Sequence, residues 1–96
     1  MSKELEKKLV HLAQVFRSTE SNEELAEFMR VFLSSQEIED FIKRWEVFTR
    51  LHDGDTQRHI KKEVGISISK VSRTARAIKE GTGVSKKVYE LSLIHI

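Results

Sequence analysis

The sequence predicts an all-α fold with about six helices. Large apolar residues recur at intervals of three and four along most of the 96-residue chain, which is the spacing of one helix face. No segment alternates between apolar and polar residues for long enough to indicate a β-strand. Proline is absent, and five short polar groups rich in serine, glycine or aspartate interrupt the apolar pattern, so that six helical segments remain.

The first two helices are predicted on either side of a polar cluster at residues 18–22. The first carries one apolar stripe at helical spacing, formed by Leu5, Leu9, Leu12 and Phe16. Before the second, Ser21 and Glu24 have the spacing of a capping box, in which each side chain bonds a backbone N–H at the helix start. The apolar side of that second helix holds Leu25, Phe28, Met29 and Phe32.

The third predicted helix is the longest. A second capping box, Ser34 with Glu37, is expected to begin it. Gly54 follows its last turn, where glycine readily adopts the left-handed conformation that ends a helix. Its apolar side contains Ile38, Phe41, Ile42, Trp45, Phe48 and Leu51, and we expect Trp45 to lie in the core.

Three shorter helices are predicted in the second half, at residues 57–64, at residues 68–80 and around Val88 and Leu91. Their boundaries are marked by capping and turn residues, which are Asp55 or Thr56, Gly65, Ser67 and Gly81.

The length of the chain predicts one domain, residues 1–96. Cysteine is absent, which excludes disulfides and thiolate metal sites. No apolar run approaches the roughly 20 residues of a membrane span and no signal peptide is evident, so we expect a cytoplasmic protein without a membrane partner. Residues 91–96 resemble translated sequencing-adapter read-through, and we expect them to be a non-native tail.

Basic side chains are concentrated in one segment. Residues 57–79 contain seven lysines and arginines and one acidic residue, a net charge of +6, whereas residues 1–56 have a net charge of −4. A basic segment on a mildly acidic body is typical of proteins that bind a polyanion. A solvated basic face without a nucleic-acid partner is the alternative interpretation.

The same segment has the pattern of a helix-turn-helix, and residues 57–79 are called the helix-turn-helix unit below. Ile60 and Val64 are expected to face inward from its first helix, and Gly65 to form the turn. Val71 and Ile78 are expected to hold the second helix to the core. The residues left outside are hydroxyls and cations, which suit base edges and phosphates in the major groove: Ser69, Lys70, Ser72, Arg73 and Arg76.

Residues 31–79 resemble the bacterial Trp repressor family. The matching residues are Phe32-Leu33-Ser34, Glu37, Arg44, Gly54-Asp55, Gln57-Arg58, Lys61-Lys62-Glu63-Val64-Gly65, Ile68, Val71-Ser72-Arg73 and Ile78-Lys79. Lys61 is informative, because many other helix-turn-helix families place a small residue there. The resemblance implies a six-helix fold, an intertwined homodimer, and two helix-turn-helix units in successive major grooves of a roughly palindromic operator.

The resemblance also implies a DNA-binding surface on the helix-turn-helix unit. By similarity this surface contains Gln57, Arg58, Lys61, Ile68, Ser69, Lys70, Ser72 and Lys79, and the charge of Arg73 adds it to the set. Phosphate contacts from the first helix are expected to set the register on the duplex, and base contacts from the second helix to set the sequence preference.

Members of the family bind L-tryptophan as a corepressor in a pocket behind the helix-turn-helix. Arg44 and Arg73 match the two arginines that bracket the indole ring, and Ser34 matches a threonine that meets the carboxylate. The ligand pocket that the resemblance implies consists of Val31, Leu33, Ser34, Arg44, Val47, Arg73, Thr74 and Ala77. Arg44 has a second interpretation, an ion pair with Asp40 one helical turn before it.

Two positions of this pocket depart from the tryptophan sensors. Thr74 stands in place of a glycine, and its branched side chain takes up space that the indole needs. Ala77 stands in place of a serine that helps to hold the amino group, and such a charge-assisted hydrogen bond is worth about 1.5–3 kcal/mol. The sequence therefore leaves three alternatives open: the protein responds to tryptophan, to another ligand, or to no ligand.

Three functional hypotheses follow from the sequence. The first is a sequence-specific repressor of double-stranded operator DNA that L-tryptophan gates, and the second is a DNA-binding regulator of the same fold with another ligand or none. The third is a helical protein-interaction module with a basic face. No enzyme, metal site or further cofactor is expected, because the sequence supplies no paired metal ligands, activated nucleophile or phosphate cradle.

Overall fold

The computed structural model describes residues 1–95, the last of them by its backbone alone, and the described chain forms six α-helices and no strand. The helices are α1 (Lys3–Arg17), α2 (Asn22–Phe32), α3 (Ser35–His52), α4 (Gln57–Val64), α5 (Ile68–Glu80) and α6 (Val84–His95). The predicted all-α class and the number of helices are confirmed. Residues 91–95 of the predicted tail continue α6, whereas residue 96 lies outside the described residues.

The chain forms two compact units, Met1–Ile38 and Glu39–Ile96. In the N-terminal unit, Met1–Ile38, serine side chains begin the helices. Ser21 Oγ accepts the N–H of Glu24 at 3.0 Å, as a capping box requires. The Glu24 carboxylate accepts the N–H of Glu20 at 3.2 Å, whereas the expected donor is the N–H of Ser21. The second box is complete, because Ser34 and Glu37 each accept the backbone N–H of the other.

The rings of the N-terminal unit form a cluster. Phe28 and Phe32 stack with centroids 5.4 Å apart, and the edge of Phe16 packs against both at 5.7 and 6.2 Å. Offset and edge-to-face pairs of this kind stabilise beyond the burial of their area. No residue of α1 or α2 is fully buried within the described chain, so this cluster stays partly open.

The core of the second unit, Glu39–Ile96, lies around α4 and α5. Its buried side chains are Val47 from α3, Ile60 and Val64 from α4, and Val71 from α5. Leu51 and Ile66 pack against this group while partly exposed. The short pair α4 and α5 is thereby fixed to the inner side of α3 by apolar contacts, and its polar sides are left outside.

The prediction that Trp45 is a core residue is wrong for the described chain. Trp45 is 41% exposed and stacks on Phe48 with ring centroids 5.2 Å apart. Within this unit, α4 and α5 cover the side of α3 that carries Val47 and Leu51. Trp45 instead lines an open groove together with Thr74 of α5 and with Ser85 and Val88 of α6.

Helix α6 is attached to the end of α3 through a series of rings. His52 contacts Phe48 at 4.7 Å between centroids and stacks on Tyr89 of α6 at 5.0 Å. The Tyr89 hydroxyl donates to the Asp53 carboxylate, and this hydrogen bond raises the pKa of Tyr89 above its ordinary value of 10.0.

None of the helices in the described part of the chain is long and apolar enough to cross a bilayer.

Candidate nucleic-acid interface

The helix-turn-helix unit has the boundaries that the sequence predicts. Of the two candidate caps for α4, Thr56 is the one used, since its Oγ1 accepts the N–H of His59 at 3.2 Å. Gly65 ends α4 in the left-handed conformation, with φ 74° and ψ 45°, and donates its N–H to the Lys61 carbonyl. Ser67 then caps α5 by accepting the N–H of Lys70. The chain therefore reverses within three residues, as two short crossing helices require.

Apolar side chains fix the position of α5 against α4. Ile60 and Val71 are 0% exposed, and Ile66 packs from the turn against the same core. The prediction that Ile60, Val64 and Val71 face inward is confirmed, whereas Ile78 is only partly buried. Because the apolar side of each helix is used for this packing, the opposite sides carry the polar and basic residues.

All nine residues predicted to bind DNA are exposed in the structure. Gln57, Arg58 and Lys61 lie on α4, and the others lie on α5: Ile68, Ser69, Lys70, Ser72, Arg73 and Lys79. Ile68, the one large apolar member, is 44% exposed at the first position of α5. An exposed apolar side chain at the start of the second helix is able to contact a thymine methyl group.

Hydrogen bonds between side chains order this surface. Ser72 Oγ donates to Gln57 Oε1 over 2.8 Å and so joins α5 to the first residue of α4. Ser67 and Ser69 share a hydrogen bond of 3.2 Å between their hydroxyls. Thr74 donates its hydroxyl to the Lys70 carbonyl at 3.1 Å, as branched hydroxyl residues commonly do in helices.

A group of charged residues lies beside the start of α4. Asp55 accepts from His59 Nδ1 at 2.8 Å and from Arg50 at 3.4 Å, and His59 Nε2 lies 3.4 Å from Glu63. The hydrogen bond from His59 is the main cause that holds the pKa of Asp55 below its ordinary value of 3.8. These contacts connect the end of α3, the corner after it and α4.

A cavity of about 230 Å³ lies behind α5 in the second unit. Four of the predicted ligand residues line it, which are Arg44, Val47, Arg73 and Thr74. Ile66, Ser69 and Lys70 also line it, so Ser69 and Lys70, which are predicted for the DNA-binding surface, border the cavity as well. Their helical spacing of four from Arg73 and Thr74 is the signal that would have included them.

The ion pairs within the described chain involve Arg50 and His59, and neither Arg44 nor Arg73 takes part in one. Both cavity arginines therefore keep guanidinium groups that can bind an anionic ligand. Ala77 is exposed on α5 and is not a lining residue of the cavity.

The remaining predicted ligand residues belong to the N-terminal unit. Val31 is 84% exposed at the end of α2, and Leu33 is the partly buried residue that ends this helix. Ser34 uses its side chain in the cap of α3. Among the described residues, no group of histidines or acidic residues is arranged to hold a metal ion.

In a comparison with protein families, the family model described as Trp repressor protein matches residues 7–91 of the chain. No curated protein matches the chain. No solved structure matches it either. The matched segment extends beyond residues 31–79 at both ends.

Proposed function

Because the chain belongs to the Trp repressor family, we propose that it is a transcriptional repressor that binds double-stranded DNA sequence-specifically. The observation that carries this proposal is the combination of a buried α4–α5 core with nine exposed candidate contact residues on the outer sides of the same two helices. A rigid pair of helices with a net charge of +6 is suited to a polyanion of fixed shape.

The two helices have different parts in this mechanism. Arg58 and Lys61 on α4 bind phosphates and so hold the protein in register, without regard to sequence. Helix α5 lies in the major groove, where Lys70 and Arg73 donate to base edges and Ile68 contacts a methyl group. Sequence preference therefore comes from α5 and affinity from both helices.

We propose that the repressor acts as a homodimer. Only four hydrophobic side chains are buried within the described chain. In contrast, large apolar residues are about half exposed on several helices, including Leu5, Leu9, Phe32, Phe41, Ile42 and Trp45. A chain of this size gains the missing burial most simply from a second copy. Two copies present two α5 helices to two half-sites about one helical turn apart.

The cavity behind α5 supports control by a small ligand. Arg44 and Arg73 offer guanidinium groups for a carboxylate and for the face of an aromatic ring. L-Tryptophan is the ligand that the family favours, and a regulator with another ligand or none is the second candidate. The second candidate is favoured by Thr74, which lines the cavity where the tryptophan sensors have no side chain.

The DNA proposal is tested by the salt dependence of binding to duplex DNA. The slope of log K against log salt is expected to be about −0.9 for each phosphate neutralised. Lys61→Met removes one phosphate contact and is expected to make this slope shallower by about 0.9. Lys7→Met in α1 removes the same charge outside the helix-turn-helix unit and serves as the control. A wild-type slope near zero would reject the DNA proposal in favour of a protein-interaction module with a basic face.

The ligand proposal is tested by calorimetry of the protein with L-tryptophan. Heat of binding at micromolar to millimolar ligand is expected if tryptophan is the corepressor. Absence of heat in the wild type, together with binding in Thr74→Gly/Ala77→Ser, would instead support the second candidate and identify these two side chains as the reason.

A further inference from the structure

The hydroxyl proton of Ser72, one of the residues predicted to contact DNA, is already used within the chain. Ser72 Oγ donates it to Gln57 Oε1 over 2.8 Å. A hydroxyl has a single proton, so Ser72 keeps only acceptor capacity while this bond exists. A phosphate oxygen is itself an acceptor, and Ser72 therefore offers it no hydrogen bond.

The same bond determines how Gln57 presents its amide. With Oε1 bound to Ser72, the two N–H donors on Nε2 remain available for a second partner. Gln57 is the first residue of α4, and Ser72 lies near the middle of α5, so the bond also fixes the distance between the two helices at this point. Gln57 is thus an oriented donor instead of a freely rotating side chain.

Gln57 and Ser72 line an open groove together with two cations, Arg76 and Lys79. The helical spacing of three and four places Ser72, Arg76 and Lys79 on one side of α5. Ala75 also lines the groove, and its small side chain leaves the groove open to a ligand. Glu80 lines the groove as well. No ion pair of the described chain joins it to Arg76 or Lys79, so both cations keep their charge for a polyanion.

We propose that this groove binds the phosphate backbone of duplex DNA through Arg76, Lys79 and the Gln57 amide, and that Ser72 is a positioning residue that acts through Gln57. The proposal rests on the proposed function, because it requires that α5 lies against duplex DNA. It adds Arg76 to the interface and removes Ser72 from direct contact. Charge-assisted hydrogen bonds from a guanidinium and an ammonium group are the usual means of phosphate recognition.

Binding of a fluorescently labelled duplex of mixed sequence tests the groove without knowledge of the operator, since phosphate contacts do not depend on sequence. Anisotropy is measured at several salt concentrations. Arg76→Gln is expected to make the slope of log K against log salt shallower by about 0.9. Arg30→Gln removes the same charge from α2 and is expected to leave the slope unchanged. A slope in Arg76→Gln equal to that of the wild type would exclude Arg76 from the groove contact.

The role of Ser72 is tested on the same duplex. Ser72→Ala is expected to bind about two- to tenfold more weakly, the worth of one hydrogen bond, with an unchanged salt slope because no charge is lost. Ser72→Thr keeps the hydroxyl and is expected to bind like the wild type. The double variant Gln57→Ala/Ser72→Ala is expected to bind no more weakly than Gln57→Ala alone, because the serine acts only through the glutamine.

A spectroscopic measurement on the free protein separates positioning from folding. Ser72→Ala is expected to shift the NMR signals of the Gln57 side-chain amide, while its unfolding midpoint stays close to that of the control Ser18→Ala in the N-terminal unit. Wild-type affinity in Ser72→Ala, or losses that add in the double variant, would overturn the positioning role alone. A wild-type salt slope near zero would overturn the proposed function and this inference with it.

Discussion

The helix-turn-helix unit and the N-terminal unit differ in how much of their own packing they supply. In the former, Ile60 and Val71 are 0% exposed, and Val64 is 8% exposed. In the latter, no residue of α1 or α2 is fully buried, and Leu5 and Leu9 are 52% and 47% exposed. Both regions have regular apolar stripes in the sequence. A stripe therefore predicts a helix, but it does not tell whether the same chain covers that helix.

The two regions differ in charge as well. The helix-turn-helix unit has a net charge of +6, whereas the N-terminal unit has five basic and seven acidic residues, a net charge of −2. Under the proposed function, the first region holds a basic surface in a fixed shape for DNA. The second region keeps an apolar surface for another copy of the chain. Each difference has a consequence that a substitution can measure.

The largest effect is expected at the buried core of the helix-turn-helix unit. Ile60→Ala removes three carbons from a side chain with no exposed area, which is expected to lower the free energy of unfolding by about 2–5 kcal/mol. Urea denaturation followed by circular dichroism measures it. Ile94→Ala, on a side chain that is 74% exposed and is not among those assigned to the dimer contact, is the matched control and is expected to cost less. Equal losses in the two variants would contradict the packing described for α4 and α5.

A smaller effect is expected at the turn between α4 and α5. Gly65 has a φ of 74°, and an added Cβ would meet nothing within 4 Å, so the cost of Gly65→Ala is backbone strain alone. That strain is expected to lower the free energy of unfolding by about 1–2 kcal/mol. Gly83→Ala also places its Cβ in open space, but without a positive φ, and is expected to be nearly neutral. A neutral Gly65→Ala would show that the turn can relax into another conformation.

The features that could be predicted from the sequence are those with local causes. The ends of α4 and α5 depend on residues within one turn of them, such as Thr56, Gly65 and Ser67, and these boundaries are confirmed. The exposure of Trp45 could not be predicted, because it depends on how many helices cover α3. The lining of the cavity by Ser69 and Lys70 likewise depends on how α5 is rotated against α3, which residue types alone do not specify.

The next effect concerns the apolar surface of the N-terminal unit. Leu9→Ala removes apolar area that the chain itself leaves half exposed, so little change is expected within one chain. If a second copy covers this area, the dissociation constant of the dimer is expected to rise about three- to tenfold. Sedimentation equilibrium over a range of protein concentrations measures it. A dissociation constant equal to that of the wild type would place the dimer contact away from this part of α1.

The smallest effect is expected from the charged residues beside α4, because Asp55 and His59 are partly exposed and solvent screens their attraction. The folded-state pKa of Asp55 is lowered, chiefly by its hydrogen bond with His59, so the carboxylate stabilises the fold above its ordinary pKa of 3.8. This contribution is lost as the pH falls through the lower, folded-state pKa.

Asp55→Asn is therefore expected to lower the unfolding midpoint near neutral pH, and the difference from the wild type is expected to shrink as the pH falls below 3.8. Thermal unfolding at a series of pH values measures this, with Glu27→Gln in α2 as the control that removes one acidic group elsewhere. Curves for the wild type and Asp55→Asn that stay parallel down to the acid limit would mean that Asp55 is not the titrating group. The loss of stability in acid would then arise from other carboxylates. The contacts of Asp55 with Arg50 and His59 would fix the geometry of the corner between α3 and α4 without making the stability depend on pH.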